Sequence, residues 1–305
     1  MPAPTALTIG NFDGVHIGHQ RLVRAAREAV GAEGSVCALS FDPHPISILR
    51  PDHTPPRLTR FDQRRDQLLR AGADTVERIE PTPELLGREP HDFIESLVKR
   101  YRPALFVEGP DFRFGKRRAG SVETLRDLGR QMNFRTIVLD AVEVPLANHI
   151  LVRVSSSIIR WLLVRGRVDD ARRLLGRPYE LTGPVVSGDR RGRDLGVPTA
   201  NLDHGELLLP ADGIYAGRAR GHDGDWHPAA ISIGTKPTFG RSERLCEAHL
   251  IDYAGPVDHY GWTIRITLDA WLREQLAYAD VPALLAQLRR DIERTRQLIP
   301  AAVST

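Results

Sequence analysis

Hydrophobic and polar positions change their spacing once along this chain, near Tyr179. Before that point, short apolar runs alternate with stretches of helical period. Ala6–Ile9, Val36–Phe41, Ala104–Val107 and Thr136–Val142 read as strands. Leu22, Ala26, Ala29 and Val30 fall on one helical face. Arg60–Ala71 predicts a polar-faced helix, and Phe93, Leu97 and Val98 mark another. Ser155–Gly166 and Val168–Leu175 predict two short helices. Strands separated by helices imply a parallel sheet with crossover connections. After Tyr179 the helical spacing stops. Tyr179–Val186, Ile214–Arg220, Ala229–Ile233, Leu245–Asp252 and Trp262–Leu268 read as strands with Gly, Pro and Asp between them. Such a succession predicts an antiparallel sheet or small barrel. A last helix follows, with Asp280 as N-cap and Leu284, Leu285, Leu288 and Ile292 as its apolar face. The expected fold is α/β, then all-β with a C-terminal helix.

The length of 305 residues fits two domains better than one core. A hydrophobic share of 41% with 27% charged residues is ordinary for a globular chain. No apolar run approaches the roughly 18 residues of a bilayer span. The start, MPAPTALTIG, lacks a basic region ahead of an apolar stretch, so a cytoplasmic location without membrane contact is expected. Cys37 and Cys246 sit in apolar runs and read as buried free thiols. Lys99, Lys116 and Lys236 are the only lysines, so arginine supplies the other 39 of 42 cations. Arginine suits phosphate, but 39 acidic residues nearly balance it and no contiguous basic run exists, so a nucleic-acid partner is not expected.

Between the first predicted strand and helix lies Gly10-Asn11-Phe12-Asp13-Gly14, then His16, Gly18 and His19. This is the switch-point position at which open α/β sheets bind ligands, beside a helix N-terminus that favours anions. Glycines admit phosphate close to the backbone, and histidines one turn apart point the same way. The set suits charge stabilisation on a triphosphate without a protein nucleophile. The plainer alternative is a turn with a structural histidine. Asp111, Phe112, Arg113 and Phe114, in the segment Gly109–Gly120, are compatible with ring stacking and phosphate binding, or with a solvated basic loop. Ser155, Ser156 and Ser157 read as helix caps, or with Arg160 as a cradle for β- and γ-phosphates. Phe41-Asp42-Pro43-His44-Pro45 reads as a rigid turn beside an acceptor, with too few ligands for a metal.

The β half carries glycines at 183, 188, 192 and 196, interleaved with Arg190, Arg191 and Arg193. Glycine at that density bends backbone around something, a ligand or a barrel corner. Thr199 and Asn201 offer neutral oxygens suited to Mg²⁺, or an Asx turn. Glu247 and His249 share one strand face, opposite Cys246, Ala248 and Leu250. Glu247 is then a solvent-facing residue or a general base for a hydroxyl attacking a γ-phosphate.

GNFDGVHIGHQ, FDPHP, GPDFRFGKRRAG and SSSIIR, in that order, resemble the N-terminal module of bacterial bifunctional riboflavin kinase/FMN adenylyltransferases (FAD synthetases). GPVVSGDRRGRDLGVPTANL, PADGIYAG, ISIGTKPTFG, CEAHLIDY and LREQ resemble the riboflavin kinase module of that family. The resemblance implies a Rossmann-like nucleotidyltransferase domain over 1–180 and a β-barrel kinase domain over 181–305. It implies phosphorylation of riboflavin to FMN, then adenylyl transfer from ATP to FMN, giving FAD and pyrophosphate, with Mg²⁺. By motif, Gly10–Asp13, His16, Gly18 and His19 would meet the ATP phosphates. Asp111–Phe114 would line the nucleotide and flavin site, and Ser155, Ser156, Ser157 and Arg160 would bind phosphate. Gly188 and Gly192 would belong to the cofactor-binding set, Thr199 and Asn201 would bind Mg²⁺ and phosphate, Glu247 would be the base, and Arg273 would support flavin. Two departures stand out: Lys236-Pro-Thr-Phe239 where the family has NPTF, and a longer stretch at Ala254–His259. A monofunctional adenylyltransferase with a kinase-inactive, flavin-capturing β module is the alternative.

Overall fold

The computed structural model describes residues 3–188, 192, 195–235, 244–256 and 259–300. By packing, the chain divides into one unit reaching Val144 plus Leu151–Ser156, and a second holding Pro145–Ile150 and everything from Ser157.

In the first unit the apolar runs become a parallel sheet. Its strands are β1 (Thr5–Gly10), β2 (Ser35–Phe41), β3 (Thr75–Ile79), β4 (Leu105–Glu108) and β5 (Arg135–Val138), in spatial order β3-β2-β1-β4-β5. Helices α1 (Ile17–Val30), α2 (Ile46–Leu49), α3 (Phe61–Arg70), α4 (Pro83–Leu86), α5 (Pro90–Tyr101) and α6 (Val122–Met132) connect them. Two apolar layers flank the sheet. One joins Val23 and Ala26 of α1 to Ala6, Ala38 and Val107. The other joins Ile94 and Leu97 of α5 and Leu125 and Leu128 of α6 to Leu7, Leu39 and Phe106. The central strands β1, β2 and β4 are buried on both faces, as a sheet covered on both sides requires.

Strand β3 and helix α6 were not expected from the pattern. β3 reads Thr-Val-Glu-Arg-Ile at the sheet edge, where half-exposed polar residues interrupt the apolar run. Helix α6 carries its own signal: Ser121 and Thr124 form a capping box ahead of buried Val122, Leu125 and Leu128. The run expected over Thr136–Val142 pairs with β4 only as far as Val138. Short strands β6 (Glu143–Pro145) and β7 (Leu151–Arg153) pair beyond it.

In the second unit, β8 (Tyr179–Val186), β9 (Ala200–Leu202), β10 (Gly213–Arg220), β11 (Trp226–Thr235), β12 (Arg244–Leu250) and β13 (Thr263–Arg273) close into a barrel. The order around it is β10-β11-β12-β9-β8-β13, and closure leaves no free strand edge. Leu181, Tyr215, Ile231, Ile233, Cys246, Ala248, Ile264 and Ile266 alternate inward and are buried. Helix α7 (Ser156–Leu163) precedes α8 (Val168–Leu175), which packs on β13 and β8. Helix α9 (Val281–Leu298) packs on β10, β11 and β13. Asp280 caps it as expected, accepting from Ala283 N–H at 2.8 Å. Leu284, Leu285, Leu288 and Ile292 lie half-buried on the expected face, which also holds buried Asp291 and Thr295. From that face Asp291 reaches the barrel to bind Arg273.

Both cysteines are free and buried. Burial pushes the Cys246 thiol up to about 12, which removes it from thiolate chemistry.

Candidate functional site

The strand order of the first unit reverses between β1 and β4, which opens a crevice at the strands' C-terminal edge. The segment Gly10–His19 leaves β1 into this crevice. Its backbone is strained: Phe12, Gly14 and Val15 all take positive φ, at 48°, 83° and 37°. For non-glycine residues that costs roughly 1–3 kcal/mol each, so something must over-determine the loop. Phe12 and Val15 are anchored in the core at 1% and 0% exposure. Asp13 supplies the rest. Its carboxylate accepts from Leu58 N–H and Thr59 N–H at 3.0 Å, and from the Thr59 hydroxyl at 3.0 Å. Thr59 Oγ1 in turn accepts from Gly14 N–H at 3.0 Å, and the Ser156 hydroxyl donates to the Asp13 carbonyl at 2.7 Å. Asp13 and Phe12, expected at the nucleotide, thus have their side chains committed to holding the loop. Asp13→Ala strands buried N–H groups, and should cost about 3 kcal/mol in denaturant unfolding of this unit while FAD formation falls.

What this frame presents is the histidine pair. His16 is the N-cap of α1, and its Nδ1 accepts from His19 N–H at 3.3 Å. An accepting Nδ1 places the proton of the neutral ring on Nε2, which makes that nitrogen a donor. The His16 and His19 rings stack, with centroids 3.6 Å apart. A side chain at Gly18 would put its Cβ 3.1 Å from the His16 ring, so glycine there leaves room for the imidazole. The positive end of α1 and the Nε2–H donor are the chemistry that suits a phosphate.

The Asp42–Pro45 turn adjoins this loop. His44 Nε2 pairs with the Asn11 amide at 2.9 Å, and His44 Nδ1 accepts from Ile46 N–H. Arg64, absent from the sequence-level candidates, is 4% exposed and lies 3.8 Å from both Asp13 and Asp42. It donates to the Phe41 carbonyl at 2.8 Å. Arg57 and Arg78 also reach Asp42, at 3.0 and 3.4 Å. Nothing marks Arg64 in sequence, where it is one arginine among many on a polar helix.

In the Gly109–Gly120 segment, Phe114 is a core residue at 5% exposure, and Phe112 stacks on it at 5.3 Å. The aromatic faces expected for a ligand are therefore largely spent on packing. Asp111 pairs with Arg153, and Arg113 is exposed. Ser155 and Ser156 are half-buried in the first unit. Ser157 and Arg160 follow on α7 in the second, exposed and half-buried respectively.

In the barrel, strand register gathers the sequence candidates. Asn201 of β9 lies opposite Glu247 of β12, and Glu247 opposite Ser232 of β11. Ser232 then lies opposite Ile214, and Ile214 opposite Arg273. These half-buried residues form one band around the barrel, on strand faces opposite the buried interior. His249, two residues along β12, holds the approach to Thr199 by pairing with the Pro198 carbonyl at 2.8 Å. Its burial pulls the imidazole below its usual range, which keeps it a neutral tether. Gly192 O accepts from Val197 N–H at 2.7 Å. Arg273 is gripped by Asp291 through Nε at 3.0 Å and Nη2 at 2.7 Å. Arg190, Arg191, Arg193, Lys236–Phe239, Val257 and Asp258 lie outside the described residues.

Both halves of the chain have counterparts among known proteins. A family model described as FAD synthetase matches residues 1–152, and one described as Riboflavin kinase matches residues 175–299. The bifunctional riboflavin kinase/FMN adenylyltransferase of Escherichia coli (strain K12) is 34% identical over 287 residues, covering 93% of this chain and 90% of the relative. The chain belongs to the bifunctional riboflavin kinase/FMN adenylyltransferase family. Family members from Pseudomonas fluorescens and Listeria monocytogenes are 32% and 31% identical over 95% of the chain, covering 92% and 91% of those relatives. A crystal structure titled as a macrolide-efflux protein from Streptococcus pneumoniae superposes with a TM-score of 0.86. That protein is 28% identical, with 97% of this chain and 95% of that one covered. Among the described residues of this family member, no helix is long and apolar enough to cross a membrane.

In this family frame Gly188 acquires a reason. A Cβ built there falls 2.3 Å from the Asn201 amide nitrogen, so a side chain at 188 displaces Asn201. Gly188→Ala should therefore depress riboflavin phosphorylation by about tenfold or more while leaving adenylyl transfer from supplied FMN intact. Initial rates of the two half-reactions check this.

Proposed function

We propose that this chain makes FAD from riboflavin in two steps, phosphorylating riboflavin within residues 181–305 and adenylylating the resulting FMN within residues 1–180. The observation that carries the reading is the barrel register that faces Glu247 with Asn201, on a chain whose first unit presents His16 at a helix start over a switch-point crevice.

In the first step the ribityl hydroxyl attacks the γ-phosphorus of ATP, its proton passes to Glu247, and ADP leaves. Thr199 and Asn201 would hold Mg²⁺. Their neutral oxygens, Asn201 beside Gly188 and Thr199 beside Gly192, fit a hard cation that keeps waters and substrate phosphates. Bound there, the cation supplies neutralisation of phosphate charge. Arg273, aimed by Asp291, supports the flavin.

In the second step a phosphate oxygen of FMN attacks the α-phosphorus of ATP, and the bond to the β-phosphate oxygen breaks to release pyrophosphate. The substrate brings its own nucleophile, so the protein's task is alignment and charge stabilisation. His16 Nε2–H and the α1 terminus meet the phosphates, with His19 stacked behind. Ser155 and Ser156 add phosphate contacts in this proposal, and Asp111–Phe114 border the base and flavin. The partners are small molecules, riboflavin, FMN and ATP, in the cytoplasm.

The products separate the two activities. Riboflavin with Mg-ATP should yield ADP, and FMN with Mg-ATP should yield pyrophosphate. Pyrophosphate without ADP would leave the monofunctional alternative standing, and neither product would end the proposal.

A further inference from the structure

Strands β1 and β4 part at the crevice. β1 stays paired with β2 through Gly10, and β4 with β5 through Glu108. The β1–β4 pairing covers only Ala6 with Leu105 and Leu7 with Phe106. Continued, that register would set Ile9 beside Glu108. There the Ile9 N–H donates instead to the side chain, Glu108 Oε1, at 2.8 Å. Glu108 is 2% exposed. Among the described residues, the other buried carboxylates, Asp13, Asp42, Asp170, Asp269 and Asp291, each have an arginine within 4.0 Å. Among the described residues no such cation stands by Glu108. Burial pushes its carboxyl well above the usual carboxylate range, and the Ile9 N–H pulls only partly back. A carboxyl so placed is held as the acid.

We propose that Glu108 is a positioning residue for adenylyl transfer, a strut whose side-chain oxygen spans the opened β1–β4 ladder and fixes the start of the Gly10–His16 loop against the ATP phosphates. The proposal rests on the adenylyl-transfer reading above. Its logic is geometric. A ligand crevice at a switch point requires the central ladder to open, and opening leaves the Ile9 N–H buried without its strand partner. A side chain from the diverging strand satisfies that N–H without closing the crevice. Ile9 immediately precedes Gly10, so its position is passed directly to the strained loop whose far end carries His16.

Two variants of the full-length protein test it. Glu108→Ala should raise KM for ATP in FMN adenylylation by about tenfold, with KM for ATP in riboflavin phosphorylation unchanged. Glu108→Gln, which keeps an uncharged acceptor of the same shape, should return KM close to wild type. A simple loss of folded protein lowers apparent kcat and leaves KM in place, so that pattern in Glu108→Ala counts against the strut. An equal defect in the Ala and Gln variants would also overturn it, since the charge would then be what matters. Hydrogen exchange at Ile9 gives a readout independent of the reaction: slow in wild type and Glu108→Gln, fast in Glu108→Ala. Slow exchange in the Ala variant overturns the strut whatever the activity shows. Wild-type protein that protects Ile9 yet never adenylylates FMN would instead sink the functional reading and, with it, the catalytic role given to Glu108.

Discussion

Glu247→Ala is expected to lower riboflavin phosphorylation by roughly a hundred- to ten-thousandfold, the usual contribution of a general base, while FAD still forms from supplied FMN. The substitution is well separated from folding. Cys246 and Ala248, the neighbours of Glu247 on β12, face inward and are fully buried, whereas Glu247 is half-buried on the other face. Removing its side chain leaves the barrel interior intact. Glu247→Gln sharpens the result, because it keeps size and hydrogen bonding but cannot take the ribityl proton. Equal losses in the Ala and Gln variants identify proton acceptance as the function. A Gln variant that phosphorylates riboflavin at the wild-type rate would remove Glu247 from the chemistry.

The complementary expectation concerns His16. His16→Ala should lower FMN adenylylation by about a hundred- to a thousandfold, the scale on which a preorganised donor to transition-state charge acts, with riboflavin phosphorylation spared. His16 is also a helix cap, and losing a cap costs only about 1 kcal/mol. His16→Asn separates the two roles: asparagine caps a helix start well but brings no imidazole donor. The expected result is a helix as stable as wild type with adenylylation still lost. Recovery of activity in His16→Asn would mean that the histidine serves α1 and not the phosphates.

The sequence made the ends of this account legible and left the middle dark. Gly10–His19 and Pro198–Asn201 could be found because glycine, histidine and neutral oxygen donors are dense there. The division of labour inside the first loop could not. Asp13 looks like a ligand contact until residues 58 and 59 come alongside and take its oxygens, a proximity no local pattern encodes. Glu108 escaped for a similar reason: an acid ending the run Ala-Leu-Phe-Val reads as the place where a strand meets water. Only the parting of β1 from β4 shows it to be buried and bonded. In the barrel, alternation placed Glu247 and Cys246 on opposite faces. The pairing of Glu247 with Asn201 depended on register between distant strands, which periodicity alone does not set. In the terminal helix the leucines marked the packed face, but the ion pair from Asp291 on that face to Arg273 had no local signal.

The most direct test of the two-step account is a time course of full-length protein with riboflavin, ATP and Mg²⁺, separating riboflavin, FMN and FAD. The expected result is that FMN rises first and that FAD follows at its expense. Riboflavin left unconverted, or FMN accumulating without any FAD, would contradict it.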